Sequence, residues 1–220
     1  MITAFMPLRS GSKSIVNKNI KIFNDKPLCY WGLKTCQDSK LIDKIIVAVD
    51  TEDYKNIISS FNFSKIEFYN RQHINAQDNS STESVILEYL QLNKLNSDSI
   101  FVLVQATSPH IQQKEIDSMI NKSKLNQCDV ISCVRINRFI WSEEGQPINY
   151  SLQNRPRRQD FNGILVENGA IYISRVAKIL KSKCRLSGKI EIFEMNNASF
   201  LEIDEPEDFF LSELIMKKNN

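Results

Sequence analysis

Three cations stand close together near the start of this chain: Arg9, Lys13 and Lys18, in the stretch PLRSGSKSIVNKN from Pro7 to Asn19. Gly11 and the small residues around it let backbone N–H groups approach an oxyanion while the side chains supply charge. The chemistry this suits is the holding of phosphate oxygens, although no Walker A pattern is present. Four further polar stretches carry groups of related use. FYNRQHINAQDNSSTES offers Arg71, Ser80, Ser81 and Thr82, whose hydroxyls suit a ribose or base edge and equally suit helix capping. VLVQATSPH places Gln105, an amide able to donate and accept, directly after an apolar run. QNRPRRQDFNG holds Arg155, Arg157 and Arg158, and guanidinium groups fit bidentate binding of a carboxylate or phosphate. LEIDEPED contains Glu202 and Asp204, which would share one face of a strand and could hold Mg²⁺ together with phosphate oxygens. Glu205, Glu207 and Asp208 fit the first turn of a closing helix, where the macrodipole favours acid.

These groups need a frame, and the apolar pattern describes one. ITAFM, KIIVAVD, KIEFYN, SIFVLVQ and DVISCVRI read as short buried strands. Between them lie helical stretches: PLCYWGLKTCQDS with Pro27 at its start, TEDYKNIISSF opened by Thr51, STESVILEYLQLNKL with a capping signal, and QQKEIDSMINKSKL. This alternation predicts an α/β fold, a mainly parallel sheet with helices on both faces, formed by residues 1–220 as one domain. In such sheets ligands sit beyond the carboxyl ends of the strands. The opening loop, Asp50, Arg71 and QATSP would all lie there, so four separate loops converge on one edge. After Ile136 the rhythm breaks, and roughly 136–163 reads as an insertion of short strands and loops. NGAIYIS and KIEIFEM then resume strand character, and FLEIDEPEDFFLSELIMKK reads as a strand, a proline turn and a last helix.

Composition narrows the partners. The chain has 220 residues, 42% hydrophobic and 25% charged, with a formal charge of +2, which is globular and argues against a whole-surface nucleic-acid partner. It has no apolar run of membrane-spanning length, and MITAFMPLRS lacks the features of a signal peptide, so no membrane association is expected. Five cysteines, an odd number without a C-x-x-C pair, read as reduced thiols in a cytoplasm and give no zinc site. His73 and His110 are the two histidines, read as loop or surface residues, and leave a catalytic triad or histidine metal site unsupported.

Taken together, RSGSK followed by KN, DNSST, QATSP, RPRRQD, ENGAIYI and EIDEPED resemble the motifs of the CMP-N-acylneuraminate synthetases, the cytidylyltransferases that activate sialic acids. The resemblance covers nearly the whole chain. The part from RFIWSEE through ENGAIYI is especially similar to the animal-type enzymes and related bacterial ones. It implies a nucleotide-diphospho-sugar-transferase-like fold, a homodimer with the insertion as dimerisation element, Mg²⁺ dependence, and transfer of CMP from CTP to an acidic nine-carbon sugar with release of pyrophosphate. It implies that Arg9, Lys13, Lys18 and Asn19 hold the nucleotide and its phosphates, and that Arg71, Ser80 and Thr82 surround the nucleotide. Gln105, Arg158 and Tyr172 would meet the sugar. Arg157, with Arg9 and Lys13, would be catalytic. Asp204 and Glu202 would carry the metal. Two departures stand out: Ser14 where the family usually has glycine, and Glu202 in place of the first aspartate of D-I-D. RYGSTRLPGKPL, typical of the CMP-Kdo synthetases, is absent. Two other readings are a cytidylyltransferase for a related acid (Kdn, legionaminic acid or another surface-polysaccharide sugar) and a non-catalytic RNA- or phosphate-binding domain built on the arginine run.

Overall fold

A computed structural model describes residues 1–12, 14–72, 75 and 80–219. Lys13 and His73 lie outside the described residues. The frame is a seven-stranded sheet whose strands, in chain order, are β1 (Ile2–Pro7), β4 (Lys44–Val49), β5 (Ile66–Asn70), β6 (Ile100–Val104), β7 (Asp129–Ile136), β8 (Ile164–Arg175) and β9 (Ile190–Glu194). A small hairpin of β2 (Ile22–Phe23) and β3 (Lys26–Pro27) stands apart from it. The spatial order is β5-β4-β1-β6-β8-β7-β9. β1 pairs in parallel with β4 and β6, β4 with β5, and β7 with β9. Of these described strands, β8 alone runs against its neighbours, β6 and β7.

The helices among the described residues are α1 (Leu28–Asp38), α2 (Glu52–Ser59), α3 (Thr82–Asn93), α4 (Gln113–Asn126), α5 (Val176–Ser182) and α6 (Pro206–Asn219). They cover both faces because each central strand is apolar on both sides. Ala4 and Met6 of β1 share one cluster with Val47, Val102, Cys29 and Leu33 of α1, and Ile116, Met119 and Ile120 of α4. Phe5, between them in sequence, points the other way and joins Ile46, Phe101 and Leu103 against Val85, Ile86, Tyr89 and Leu90 of α3. A third, smaller cluster ties α6 through Phe209 and Met216 to Ile15, Phe23, Leu28 and Ile203. The expected mainly parallel α/β frame is what the chain forms. Side chains buried to this degree each contribute about 1.5–3 kcal/mol on transfer from water, so this sheet is a rigid base for the loops at its edge.

Three features differ from the pattern read in the sequence. α5 and the β2–β3 hairpin are additional elements. In place of the short strands expected between Ile136 and Ile164, the segment holds turns and one isolated bridge between Trp141 and Pro147. The strand expected through Glu202 and Asp204 does not form. That segment leaves a 3₁₀ turn at Asn197–Phe200 and runs straight to the start of α6. Its amides are satisfied elsewhere: Ile203 donates to the Thr107 carbonyl at 2.9 Å, and the Asp208 carboxylate accepts from the Asp204 and Glu205 amides at 3.1 and 2.9 Å. An acid placed to capture the orphan amides at a helix start draws the chain into the helix rather than the sheet.

Candidate active site

The loop after β1 is bound back onto the sheet edge. Leu8 is fully buried and its amide donates to the Ala48 carbonyl at 2.8 Å. Two residues on, the Ser10 amide donates to both carboxylate oxygens of Asp50, at 3.1 and 3.0 Å, and the Ser10 hydroxyl adds a third contact at 3.2 Å. Asp50, at the end of β4, is therefore the anchor of the loop and not part of the cavity wall. The loop closes through Asn19, which is buried and donates from its amide side chain to the Arg9 carbonyl at 3.0 Å.

Beside this loop opens a cavity of about 280 Å³. Pro7, Arg9, Ser12, Lys18 and Asn19 line it from the β1 side. Arg71 follows β5, held by its own amide on the Val49 carbonyl at 2.9 Å. Ser80, Ser81, Thr82 and Val85 enter from the start of α3. The Ser81 hydroxyl caps that helix, accepting from the Ser84 amide at 3.1 Å. Gln105 and Thr107 come from the turn after β6, where the Gln105 amide donates to the Ala170 carbonyl of β8 at 3.0 Å. Four loops, distant in sequence, thus meet at the carboxyl ends of parallel strands, where the packing rule for open α/β sheets places a ligand.

The electrostatics of the cavity are cationic. Arg71 is half-buried, and burial draws its pKa down, with the charge of Arg9 acting in the same direction. Asp50 and Glu88 oppose that shift. The Arg71 guanidinium donates to the Asn75 carbonyl, while its Nε is buried without a hydrogen-bond partner among the described residues. Two guanidinium groups on one polar cavity, with the Arg71 charge disfavoured by burial and by Arg9, are complementary to an anion.

Lys18 donates to the Ile203 carbonyl at 2.7 Å and to the Asp204 carboxylate at 3.0 Å, with its side chain only 12% exposed. The Ser14 hydroxyl donates to the Asp204 carbonyl. Glu202 accepts from the Thr107 hydroxyl at 3.2 Å. Burial raises the Glu202 pKa and the nearby Asp204 charge raises it further, against the pull of Thr107 and Lys18. The backbone gives Glu202 room through Gly169 (φ 66°), where a Cβ would stand 2.6 Å from the carboxylate. No group of three or more histidine, cysteine or acidic side chains is placed to cage a metal among the described residues. Glu202, whose charge is disfavoured by the neighbouring Asp204, would together with Asp204 suit a divalent cation completed by phosphate oxygens, the usual manner in which Mg²⁺ is held.

Of the residues singled out in the sequence, Arg9, Lys18, Asn19, Arg71, Ser80, Thr82 and Gln105 line the cavity, and Glu202 and Asp204 reach it through Thr107 and Lys18. Tyr172 does not line it. It is buried on β8, its hydroxyl donates to Glu167, and its ring lies 4.8 Å from the Arg185 guanidinium. Arg185 in turn makes a two-pronged pair with Glu83, at 2.5 and 2.8 Å, next to Thr82. Arg157 and Arg158 stand on the exposed segment between β7 and β8, outside the cavity wall, with Arg157 82% exposed and 3.4 Å from Asp160. Sequence reasoning did not single out Thr107 or Ser12, although both lie inside quoted loops. It also missed Glu88, a lone acid in the apolar run VILEYL that is 7% exposed in α3.

A mainly parallel α/β sheet with a cationic, hydroxyl-rich cavity at its carboxyl edge defines a nucleotide-binding class of fold. Residues 3–219 match the family model described as Cytidylyltransferase, and the chain belongs to that family. It is 33% identical over 222 residues to the N-acylneuraminate cytidylyltransferase of Oncorhynchus mykiss, covering 96% of this chain and 49% of the relative. It is 29% identical over 233 residues to the N-acylneuraminate cytidylyltransferase of Escherichia coli, covering 100% and 53%. The chain therefore spans about half the length of the curated relatives it matches. Among solved structures it superposes on CMP:2-keto-3-deoxy-manno-octonic acid synthetase complexed with CTP with a TM-score of 0.73, at 16% identity, covering 100% of this chain and 99% of that one. At that identity the likeness is one of fold.

Proposed function

We propose that this protein transfers CMP from CTP to the anomeric hydroxyl of a nonulosonic acid of the sialic acid type, releasing pyrophosphate, as a homodimer dependent on Mg²⁺ and working in the cytoplasm. The observation that carries this reading is the convergence of Arg9, Lys18 and Arg71 on one cavity, within a chain of the cytidylyltransferase family. The names borne by the relatives support the acceptor class. A nucleic-acid or membrane partner is not part of the reading. Among the described residues no helix is long and apolar enough to cross a membrane.

In this reading the sugar oxygen attacks the α-phosphorus in line as the bond to the pyrophosphate oxygen breaks, and the hydroxyl proton leaves to water. The chain's contribution is position and charge. Arg9, Lys13 and Lys18 neutralise the triphosphate and the departing pyrophosphate. Asn19 fixes the loop that carries Arg9, and Arg71, Ser80 and Thr82 hold the nucleoside. Gln105, on the cavity wall, meets the sugar. Asp204 and Glu202 would hold Mg²⁺, which supplies charge neutralisation of phosphate oxygens. Arg157 and Arg158 sit on the 137–163 segment, whose exposed Trp141, Ile148 and Leu152 suit contact with a second copy. In a dimer these arginines would close the site from the partner's side and clamp the sugar carboxylate or the phosphate.

A relative from Helicobacter pylori, 25% identical over 179 residues, has a name that includes pseudaminic acid cytidylyltransferase, so a different nine-carbon acid is the second reading. Pyrophosphate release measured with CTP, ATP, GTP and UTP, followed by a panel of acceptor acids with CTP, tests both. Turnover with CTP and N-acetylneuraminate supports the first reading. Turnover with CTP and only another nonulosonic acid supports the second. Activity with no nucleotide removes both.

A further inference from the structure

We infer that Glu88 is a positioning residue that sets Arg71 in the nucleotide cavity. Glu88 sits in α3, two turns in from its start, and its carboxylate is buried at 7% exposure in a stretch otherwise apolar. Its oxygens face the segment that carries Arg71. Oε1 accepts from the Tyr69 hydroxyl at 2.5 Å and from the Gln72 amide at 3.0 Å. Oε2 accepts from the Asn75 side-chain amide. These three donors flank Arg71 on both sides in sequence. The two ends of the clamp meet at Arg71 itself, which donates from its guanidinium to the Asn75 carbonyl. The Asn75 amide, in turn, donates to the Gln72 carbonyl at 2.9 Å, closing a turn between two of the residues that Glu88 holds.

A carboxylate can bind three donors at once with two oxygens, which no neutral side chain of that size matches. Its charge also favours the Arg71 cation, opposing the burial and the Arg9 charge that disfavour it. The ionised groups acting on Arg71 are Asp50, at the end of β4, Arg9, on the opening loop, and Glu88, on α3. Glu88 is the one whose carboxylate bonds the flanking backbone. Asp50 is already engaged by Ser10. Glu88 lies outside the cavity wall, so its effect on a ligand runs through Arg71.

This inference rests on the reading of the cavity as a nucleotide site, and the experiment separates the two. Wild type, Glu88→Gln, Arg71→Ala and the double variant are titrated with CTP and Mg²⁺ by calorimetry, and amide exchange of residues 71–75 is followed in the nucleotide-free protein. The Glu88→Gln change keeps the size of the side chain but removes the charge and one acceptor. Expected are a weakening of CTP affinity by about ten-fold in each single variant, a double variant no weaker than Arg71→Ala alone, and exchange of the Gln72 amide at least about ten-fold faster in Glu88→Gln while exchange in α3 is unchanged. Additive losses in the double variant, or unchanged exchange at Gln72, overturn the role of Glu88. Full CTP affinity in Arg71→Ala, or none in wild type, instead removes the nucleotide reading of the cavity, and the exchange rates then decide by themselves whether Glu88 holds the segment.

Discussion

The cavity wall and the segment between β7 and β8 both carry the arginines that the sequence singles out, yet they are built in opposite ways. The wall is over-determined. Its loops are tied by Asp50 to Ser10, Asn19 to Arg9, Ser81 to Ser84 and Lys18 to Asp204. Residues 137–163 make their own small cluster instead. Phe139, Tyr150 and Phe161 pack together, with ring centroids 4.5 and 4.9 Å from Phe139, and Arg155 lies over the rings of Phe139 and Tyr150. Arg157 and Arg158 are left in solvent. The lesson is that one chain builds the cationic cavity unaided. In the proposed dimer, the arginines of residues 137–163 would act from a second copy.

Five changes break or sharpen that contrast. The largest effect is expected from Arg9→Ala, which in the proposed reaction removes a charged contact to the phosphates: kcat/KM should fall by roughly 100-fold, on the order of 3 kcal/mol, with Tm retained. Pyrophosphate-release kinetics check it, and turnover within a factor of two of wild type would break the assignment of the opening loop. Next, Arg157→Ala should lose at least about ten-fold in kcat/KM without loss of stability, since its exposed side chain makes only a surface ion pair with Asp160 among the described residues. Mixing it with Arg9→Ala after subunit exchange should then restore about a quarter of wild-type activity, because half of the dimers are mixed and each has one intact site. Failure of the mixture to recover would place Arg157 within its own subunit's chemistry or outside the reaction altogether.

Third, the Glu202 pKa is raised, so the folded state prefers its protonated form. The stability it lends is present below the ordinary carboxylate pKa and lost as pH rises through the raised value. Glu202→Gln should therefore melt about 1–2 °C above wild type at pH 7 and level with it at low pH. Glu83 has the opposite sign. The Arg185 pair lowers its pKa, so its contribution is present above the ordinary value and lost as pH falls through the lowered one. Glu83→Gln should flatten the acid limb of the melting curve, and scanning calorimetry across pH reads both variants. The last change is Ser81→Ala, where loss of the α3 cap costs about 1 kcal/mol and about 2–4 °C in Tm. A larger fall in CTP affinity than in stability would show Ser81 touching the nucleotide as well as the helix.

Much of this was legible because the central strands are unambiguous. ITAFM, KIIVAV and SIFVLV are apolar on both faces, and a sheet buried on both faces is the frame that accommodates them. The ends of those runs marked where loops must converge, and Arg9, Arg71 and Gln105 followed. Strand direction was not legible: β8 is antiparallel because its chain returns from the 137–163 segment, and its composition carries no mark of that. The alternation of Glu202 and Asp204 was misleading as a strand signal, since pairing needs a neighbour and Asp208 had already claimed the amides. Glu88 was visible as an acid in an apolar helix, but its donors lie 13, 16 and 19 residues away, and only the fold joins them.

The most direct measurement is a crystal structure of the protein grown with CTP and Mg²⁺. The triphosphate is expected between Arg9, Lys18 and Arg71, with the cytidine against Ser80 and Thr82. Nucleotide density elsewhere on the molecule, with this cavity left to water, would contradict the account.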